Sequence, residues 1–305
     1  MKILQLVDSE NYVKSNCYQH QLHKSLASQS EHQVTLCEIL NYQNVDVMEY
    51  DGVISTLKMR TLHKFNAEIK KLMRSEHLVV YDQDPWESYR VNGACVGAYE
   101  TIAKQTPVSF VVTTPWWVDY LQTKGHDVSL VNMGVLPEYC NSKPKISLRS
   151  INIGFIGSLH PHREKFLKKI KRQVNITQGA SKPYSEFLDI LSTYKIYARS
   201  DDMMMKLVDG TITNMNYGMF AKDIEIAARG GFSIRDHSDG IDIACKDIQT
   251  IRTYKTPEEA NDIIEEILTL DKSTLDQMSS DAVELIRSRD YWSTAAQQLI
   301  SKCSR

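Results

Sequence analysis

The sequence predicts an α/β protein of two Rossmann-like domains, each a parallel sheet covered by helices, facing one another across a cleft. Three observations carry this expectation. Short β-rich runs alternate with helical patterns from Ile3 to Asn132. The alternation stops over Pro137 to Arg149, where Asn141-Ser142-Lys143-Pro144-Lys145 is polar and without period, and it restarts at Ile151. Alternating strands and helices imply parallel pairing with both sheet faces covered, and an aperiodic polar stretch between two such blocks reads as a linker.

The elements follow in order. Ile3–Val7 reads as the first strand, Asn16–Ser28 as a helix, and Gln33–Ile39 and Gly52–Ser55 as strands. Leu62, Phe65, Ile69 and Leu72 fall on one side of a helix over Leu62–Arg74. His77–Tyr81 is a strand ending in Asp82-Gln83-Asp84-Pro85, and Val108–Thr113 is another. Thr114-Pro115 then opens a helix with proline at its favoured first position, and Val128–Asn132 closes the first block. The second block begins with the strand Ile151–Ile156, the turn Gly157-Ser158 and a helix over His162–Arg172. A helix at Pro183–Thr193, a strand at Lys195–Ala198, a helix at Ala221–Arg229 ended by Gly230-Gly231, and strands at Phe232–Ile234 and Ile248–Ile251 follow. Thr256-Pro257-Glu258-Glu259 has the cap, proline and acidic first turn of a helix start. That helix runs to Leu270, with further helices over Thr274–Ser288 and Asp290–Lys302. Met203-Met204-Met205 reads as packing or a flexible loop, and Asp236 to Gly240 as a loop.

Composition narrows the class. Of 305 residues, 42% are hydrophobic and 24% charged, which excludes a disordered or fibrous chain. The net charge of -2 gives no global pull toward nucleic acid. No apolar run is long enough to span a bilayer, and the apolar run before Asp8 is too short for a signal peptide. Cys17, Cys37, Cys95, Cys140, Cys245 and Cys303 are scattered without a C-x-x-C pair, so neither a zinc site nor a disulfide framework is expected. Reduced thiols point to a cytoplasmic protein.

A parallel sheet binds ligands beyond the carboxyl ends of its strands, and Asp8, Asp82 and Thr113 sit at such ends. Gly157-Ser158 turns after a strand, where backbone N–H groups can approach a phosphate. Arg163, one turn into the following helix, suits bidentate phosphate pairing, against the alternative of a solvated basic face with Lys165, Lys168, Lys169, Lys171 and Arg172. Asp82-Gln83-Asp84 has the spacing of a D-x-D metal motif, but Asp82 or Asp84 serves better as a general base for an acceptor hydroxyl. Asp8 competes for that task. His20, His126, His160 and His162 read as polar loop histidines, with His160 or His162 placed to face the phosphates or the sugar. Trp86, Trp116 and Trp117 read as core aromatics or a stacking surface.

From Gly154 onward the chain resembles the GT-B glycosyltransferases of the group 1 and CgeB-like branch. The resemblance rests on Gly154-Phe155-Ile156-Gly157-Ser158 with Arg163 and Phe166, on Tyr184 to Leu191, on Lys222-Asp223-Ile224-Glu225-Ile226-Ala227-Ala228-Arg229-Gly230-Gly231-Phe232, and on Tyr291-Trp292. It covers most of residues 150–300. The N-terminal half matches loosely, through Asp82-x-Asp84-Pro85 and Gly134-Val135-Leu136-Pro137. It implies an N-terminal acceptor domain at 1–145, a nucleotide-sugar-binding domain at 150–288, and a C-terminal helix at 289–305 that packs back on the first domain. It implies a UDP-linked sugar as co-substrate, held by Gly157, Ser158, Arg163, Lys222 and Glu225, with no metal and no other cofactor. The glutamate matching Glu225 accepts hydrogen bonds from ribose hydroxyls, a task suited to a two-oxygen acceptor. A second glutamate eight positions earlier is replaced by Tyr217, so Asn214, Asn216 or Tyr217 would meet the sugar. The acceptor could be a polysaccharide, a lipid-linked sugar, a protein or a hydroxylated DNA base. A sugar-nucleotide epimerase and a non-catalytic sugar-nucleotide-binding protein remain as alternatives.

Overall fold

The computed structural model describes residues 1–9, 17–65, 67, 78–178, 183–201, 203–214 and 221–303. The chain divides into two compact units. The first comprises Met1–Met133, Met204–Thr213 and Trp292–Arg305, and the second Gly134–Met203 and Asn214–Tyr291. Residues 134–145, expected with the N-terminal domain, therefore cluster with the second unit, and residues 204–213 with the first.

The first unit holds strands β1 (Lys2–Val7), β2 (Gln33–Glu38), β3 (Gly52–Ser55), β4 (Leu78–Asp82), β5 (Val108–Val112) and β6 (Val128–Leu130). They form one sheet in the order β2-β1-β3-β4-β5-β6, and each neighbouring pair is parallel. Every residue of β3 and β4 is buried, the mark of parallel strands covered on both faces. The chain leaves β1 for β2 on one side and crosses to β3 on the other, so strand order reverses between β1 and β3. Helices Cys17–Ala27, Met59–Lys64, Trp86–Tyr89, Ala98–Ala103 and Pro115–Thr123 connect these strands. The expected helix over Leu62–Arg74 is described only in part, because residues 66 and 68–74 lie outside the described residues. The terminal helix Tyr291–Cys303 gives Trp292, Ala296 and Leu299 to the buried interior.

Two short strands, β10 (Met204–Lys206) and β11 (Ile212–Asn214), pair with each other where a Met-rich loop was one expectation. Their ribbon is sewn to the first unit. Val91 N–H donates to Lys206 O at 2.9 Å and Val208 N–H to Tyr89 O at 2.8 Å. The Asp209 carboxylate accepts from Tyr120 Oη at 2.8 Å and Lys124 Nζ at 2.6 Å.

The second unit holds β7 (Ile151–Gly157), β8 (Asn175–Gln178), β9 (Tyr194–Ala198), β12 (Phe232–Asp236) and β13 (Ile251–Tyr254). Their order is β13-β12-β9-β7-β8, again parallel throughout. Strand order reverses between β7 and β9. The last strand is Ile251–Tyr254 rather than Ile248–Ile251: Ile248 is a core residue, but the ladder with β12 runs through Arg252, Thr253 and Tyr254. The helix after β7 ends at Leu167, short of the expected Arg172. Of the expected loop Asp236 to Gly240, only His237 and Ser238 lie between elements, since Asp236 ends β12 and a helix occupies Asp239–Ala244. Thr256 caps the helix Pro257–Thr269 by accepting from Glu259 N–H at 3.2 Å, as its sequence implies.

The expected linker is not free chain. Asn141 N–H donates to Ala228 O at 2.8 Å, and Arg149 donates to Pro144 O at 3.3 Å, to Tyr194 O at 2.7 Å and to Arg229 O. Burial pulls the Arg149 guanidinium down to about 10. Satisfying three carbonyls offsets the cost of burying that cation.

Candidate functional site

In the second unit the loops that leave β7 and β9 flank the strand-order reversal, where α/β sheets bind ligands. Gly157 ends β7 at φ +147°, a conformation open chiefly to glycine. Arg163, in the helix Pro161–Leu167, ties the two loops together. It donates to Ser158 O at 3.1 Å, to Ser200 O at 3.4 Å and to Asp201 Oδ1 at 2.6 Å. Burial holds its guanidinium below the usual arginine range.

Behind Arg163 lies a buried charge network. Asp201 pairs with Arg199 as well. Arg199 stands 3.8 Å from Asp223, and Asp223 accepts from Arg235 at 2.8 Å and from Ser233 Oγ at 2.5 Å. Burial alone would raise the Asp223 carboxyl, but Arg199 and Arg235 outweigh it and hold the group below the usual carboxylate range. Asp236 accepts from Ser200 Oγ at 2.8 Å and Tyr254 Oη at 3.0 Å, and burial pushes its carboxyl up. The network sets Arg163, Arg199 and Arg235 among Asp201, Asp223 and Asp236, which keeps it close to charge-neutral.

The helix Ala221–Ala228 places Lys222 and Glu225 one turn apart. Glu225 is 0% exposed, and neither carboxylate oxygen accepts a hydrogen bond from a described residue. Its charge partner is Lys222, with Nζ 3.1 Å from Oε2. The same ammonium lies 3.6 Å from the centre of the Phe187 ring. Gly230 at φ +69° ends this helix, with Gly231 N–H reaching back to Ile226 O at 2.9 Å, a Schellman-type close. Tyr217 and Asn216 lie outside the described residues.

The first unit has a pocket of about 270 Å³ past the carboxyl ends of β3 and β4, lined by Thr56, Lys58, Arg60, Asp82, Asp84 and Glu87 among others. Asp82 is 4% exposed. Its Oδ1 accepts Asp84 N–H at 3.0 Å and its Oδ2 accepts Tyr99 Oη at 2.8 Å. Burial, helped by Asp84 and Glu87 and opposed by those hydrogen bonds, pushes its carboxyl up to about 7. Burial also raises Asp84, whose Oδ1 accepts the Trp86 indole N–H at 3.0 Å.

The structure thus brings Asp82 and Asp84 to one pocket in the first unit, and Gly157, Ser158 and Arg163 together at the carboxyl end of β7 in the second. Asp8 is not in the pocket wall. Its oxygens accept Thr61 Oγ1 at 2.7 Å and Lys58 N–H at 3.1 Å, securing the start of the helix Met59–Lys64. Trp86 donates its indole N–H to Asp84 and has the Arg90 guanidinium 4.5 Å from its ring centre, and Trp117 is core. Spacing in the sequence does not point to Tyr99, Arg199, Asp201 or Arg235. Arg199 and Asp201 directly follow a strand, and the rule that functional groups gather at carboxyl ends could have found them.

Two parallel sheets, each with a reversal of strand order, define the fold as that of the GT-B glycosyltransferases, matched over the full chain. One similar structure is Anabaena Alr3699/HepE in complex with UDP-glucose, with a TM-score of 0.62 and 14% identity over 100% of this chain and 99% of that one. Another is the DNA modifying enzyme β-glucosyltransferase, with a TM-score of 0.62 and 13% identity over 99% of this chain and 100% of that one. A third is AviGT4, a glycosyltransferase involved in avilamycin A biosynthesis, with a TM-score of 0.55 and 14% identity over 99% and 97% of the two chains. No protein-family profile and no curated protein matches the sequence. Among the described residues, no helix is long and apolar enough to cross a membrane.

Proposed function

We propose that the protein is a metal-independent glycosyltransferase that moves a hexose from a UDP-linked donor to an acceptor hydroxyl. Glu225 carries this reading. Its carboxylate is fully buried, with Lys222 as its ion-pair partner, and among the described residues neither oxygen accepts a hydrogen bond; burying such a group is costly, and the vicinal hydroxyls of a ribose are two donors that would satisfy it. Lys222 and the backbone N–H groups of Gly157-Ser158 would meet the diphosphate. Two of the similar proteins are described with UDP-glucose or uridine diphosphoglucose, which favours a glucose-type donor.

Chemistry then needs a base for the acceptor. Asp82, raised to about 7 in a pocket with Lys58 and Arg60, is matched to proton transfer near neutrality. As the acceptor oxygen bonds to the sugar's anomeric carbon, its proton passes to Asp82. The bond from that carbon to the phosphate oxygen breaks, and UDP leaves. Asp84, oriented by the Trp86 indole, lies beside that base.

A narrower second reading takes a hydroxylated base in DNA as the acceptor. Its support is that β-glucosyltransferase is described as DNA modifying and that a similar α-glucosyltransferase is described in complex with UDP-glucose and DNA.

The test is calorimetric titration of UDP, GDP, ADP and CMP into wild type and Glu225→Gln. UDP binding that weakens at least tenfold in the variant supports the reading; a folded wild type that binds no nucleotide overturns it. Product analysis with UDP-glucose then separates transferred sugar, isomerised donor and intact donor.

A further inference from the structure

The group behind Asp82 is as constrained as Asp82 itself. Tyr99 comes from the helix Ala98–Ala103 and its side chain is 0% exposed. Its ring centre lies 4.3 Å from that of Phe110 and 5.5 Å from those of Tyr89 and His126. Packed on three sides, the phenol cannot swing away, and its O–H donates to Asp82 Oδ2 at 2.8 Å. Burial and the neighbouring Asp82 charge hold the phenol well above its ordinary range, so it stays a donor across the pH range in which enzymes work.

We propose that Tyr99 is the positioning residue for Asp82: it fixes the plane of the carboxylate at the pocket wall and favours the ionised form that takes a proton from the acceptor. The inference rests on Asp82 being the base of the proposed transferase. Oδ1 is held by the local Asp84 N–H, which moves with the same loop. Tyr99 is the second anchor, from a separate helix, and two anchors on the two oxygens set an orientation where one would leave a pivot. A hydrogen bond donated to a carboxylate stabilises its charged form and lowers its proton affinity. The other charged or titratable groups around Asp82 are Asp84 and Glu87 on the following loop and helix, Tyr89, Cys95, and the cations Lys58 and Arg60 that line the same pocket. Tyr99→Phe alters none of them and keeps the ring.

The test uses the full chain labelled with 13Cγ-aspartate, the Asp82 signal being the one lost in Asp82→Asn. In wild type that signal titrates near 7, the raised value of the buried carboxyl. In Tyr99→Phe its midpoint rises by about one unit, a tenfold gain in proton affinity. In a protein carrying 3-fluorotyrosine at position 99, a stronger donor of nearly the same shape, it falls. The rate of UDP-glucose hydrolysis, with water as acceptor, follows: its acidic limb moves up in Tyr99→Phe while KM for UDP-glucose is unchanged. An Asp82 midpoint that is the same in all three proteins overturns the coupling. A hydrolysis rate unchanged in Asp82→Asn overturns the base assignment instead, and with it any catalytic consequence of Tyr99, whatever the titration gives.

Discussion

Lys222 Nζ lies 3.1 Å from Glu225 Oε2, one turn earlier on the same helix, and the lysine side chain keeps 23% of its surface while the glutamate keeps none. The pair is therefore lopsided: the acid has been taken out of water, and the base that compensates it still touches solvent. Removing one partner of a buried ion pair leaves an uncompensated charge. Lys222→Met should cost about 3 kcal/mol in chemical denaturation, and Lys222→Met/Glu225→Gln should recover most of that loss. Additive losses would mean that the two groups do not compensate each other.

Asp82 should make the protein less stable as pH rises. Its folded carboxyl titrates near 7 against an ordinary 3.8, so between those values the folded state holds a proton that the unfolded state has released. Stability falls across that window, and the full cost is present above 7. Asp82→Asn should match wild type near pH 4 and exceed it by about 2–4 kcal/mol at pH 8, measured by urea denaturation at both pH values. The same variant should lose transfer, a trade of function against stability at one side chain.

Asp223 has the opposite sign. Its folded carboxyl is depressed by Arg199 and Arg235, so its contribution is present above the ordinary aspartate range and is lost as pH falls through the folded value. Asp223→Ala leaves two buried guanidinium groups short of an anion and should cost about 3–5 kcal/mol at neutral pH. A thermal midpoint equal to that of wild type would show that Arg199 and Arg235 find other partners.

Gly157→Ala separates space from backbone. A Cβ there would meet Phe155 Cζ at 3.6 Å, an ordinary contact, yet φ is +147°. The cost should be conformational, about 1–3 kcal/mol, with UDP affinity reduced because the turn amides shift. Unchanged stability and affinity would mean that the loop relaxes freely.

The framework was legible where burial and pairing coincide. β3 and β4 are continuous apolar runs ended by polar residues, and both lie within a residue of where their composition places them. β13 was displaced because Ile248 marks depth without pairing, while the ladder starts at Ile251 and runs on through Arg252, Thr253 and Tyr254. β8 escaped notice: only four residues long, Asn-Ile-Thr-Gln, it pairs at the sheet edge, where few apolar residues are needed. Asp82 and Glu225 stand out locally, one after a strand and one in a helix of small and apolar residues. Tyr99 does not, since its meaning comes from an oxygen 17 residues away in the chain. Arg199 reads as one more surface cation until the fold sets Asp201 and Asp223 beside it.

The chain passes between the two units at Met133–Gly134, Met203–Met204, Thr213–Asn214 and Tyr291–Trp292. No single cut yields both halves intact. During synthesis from the N-terminus, the second unit has all its residues once Tyr291 has emerged, while the first, begun earlier, still lacks its final helix with the fully buried Trp292. The half translated first is thus the half completed last, and translation that stops before residue 292 leaves the Asp82 pocket on an unfinished scaffold.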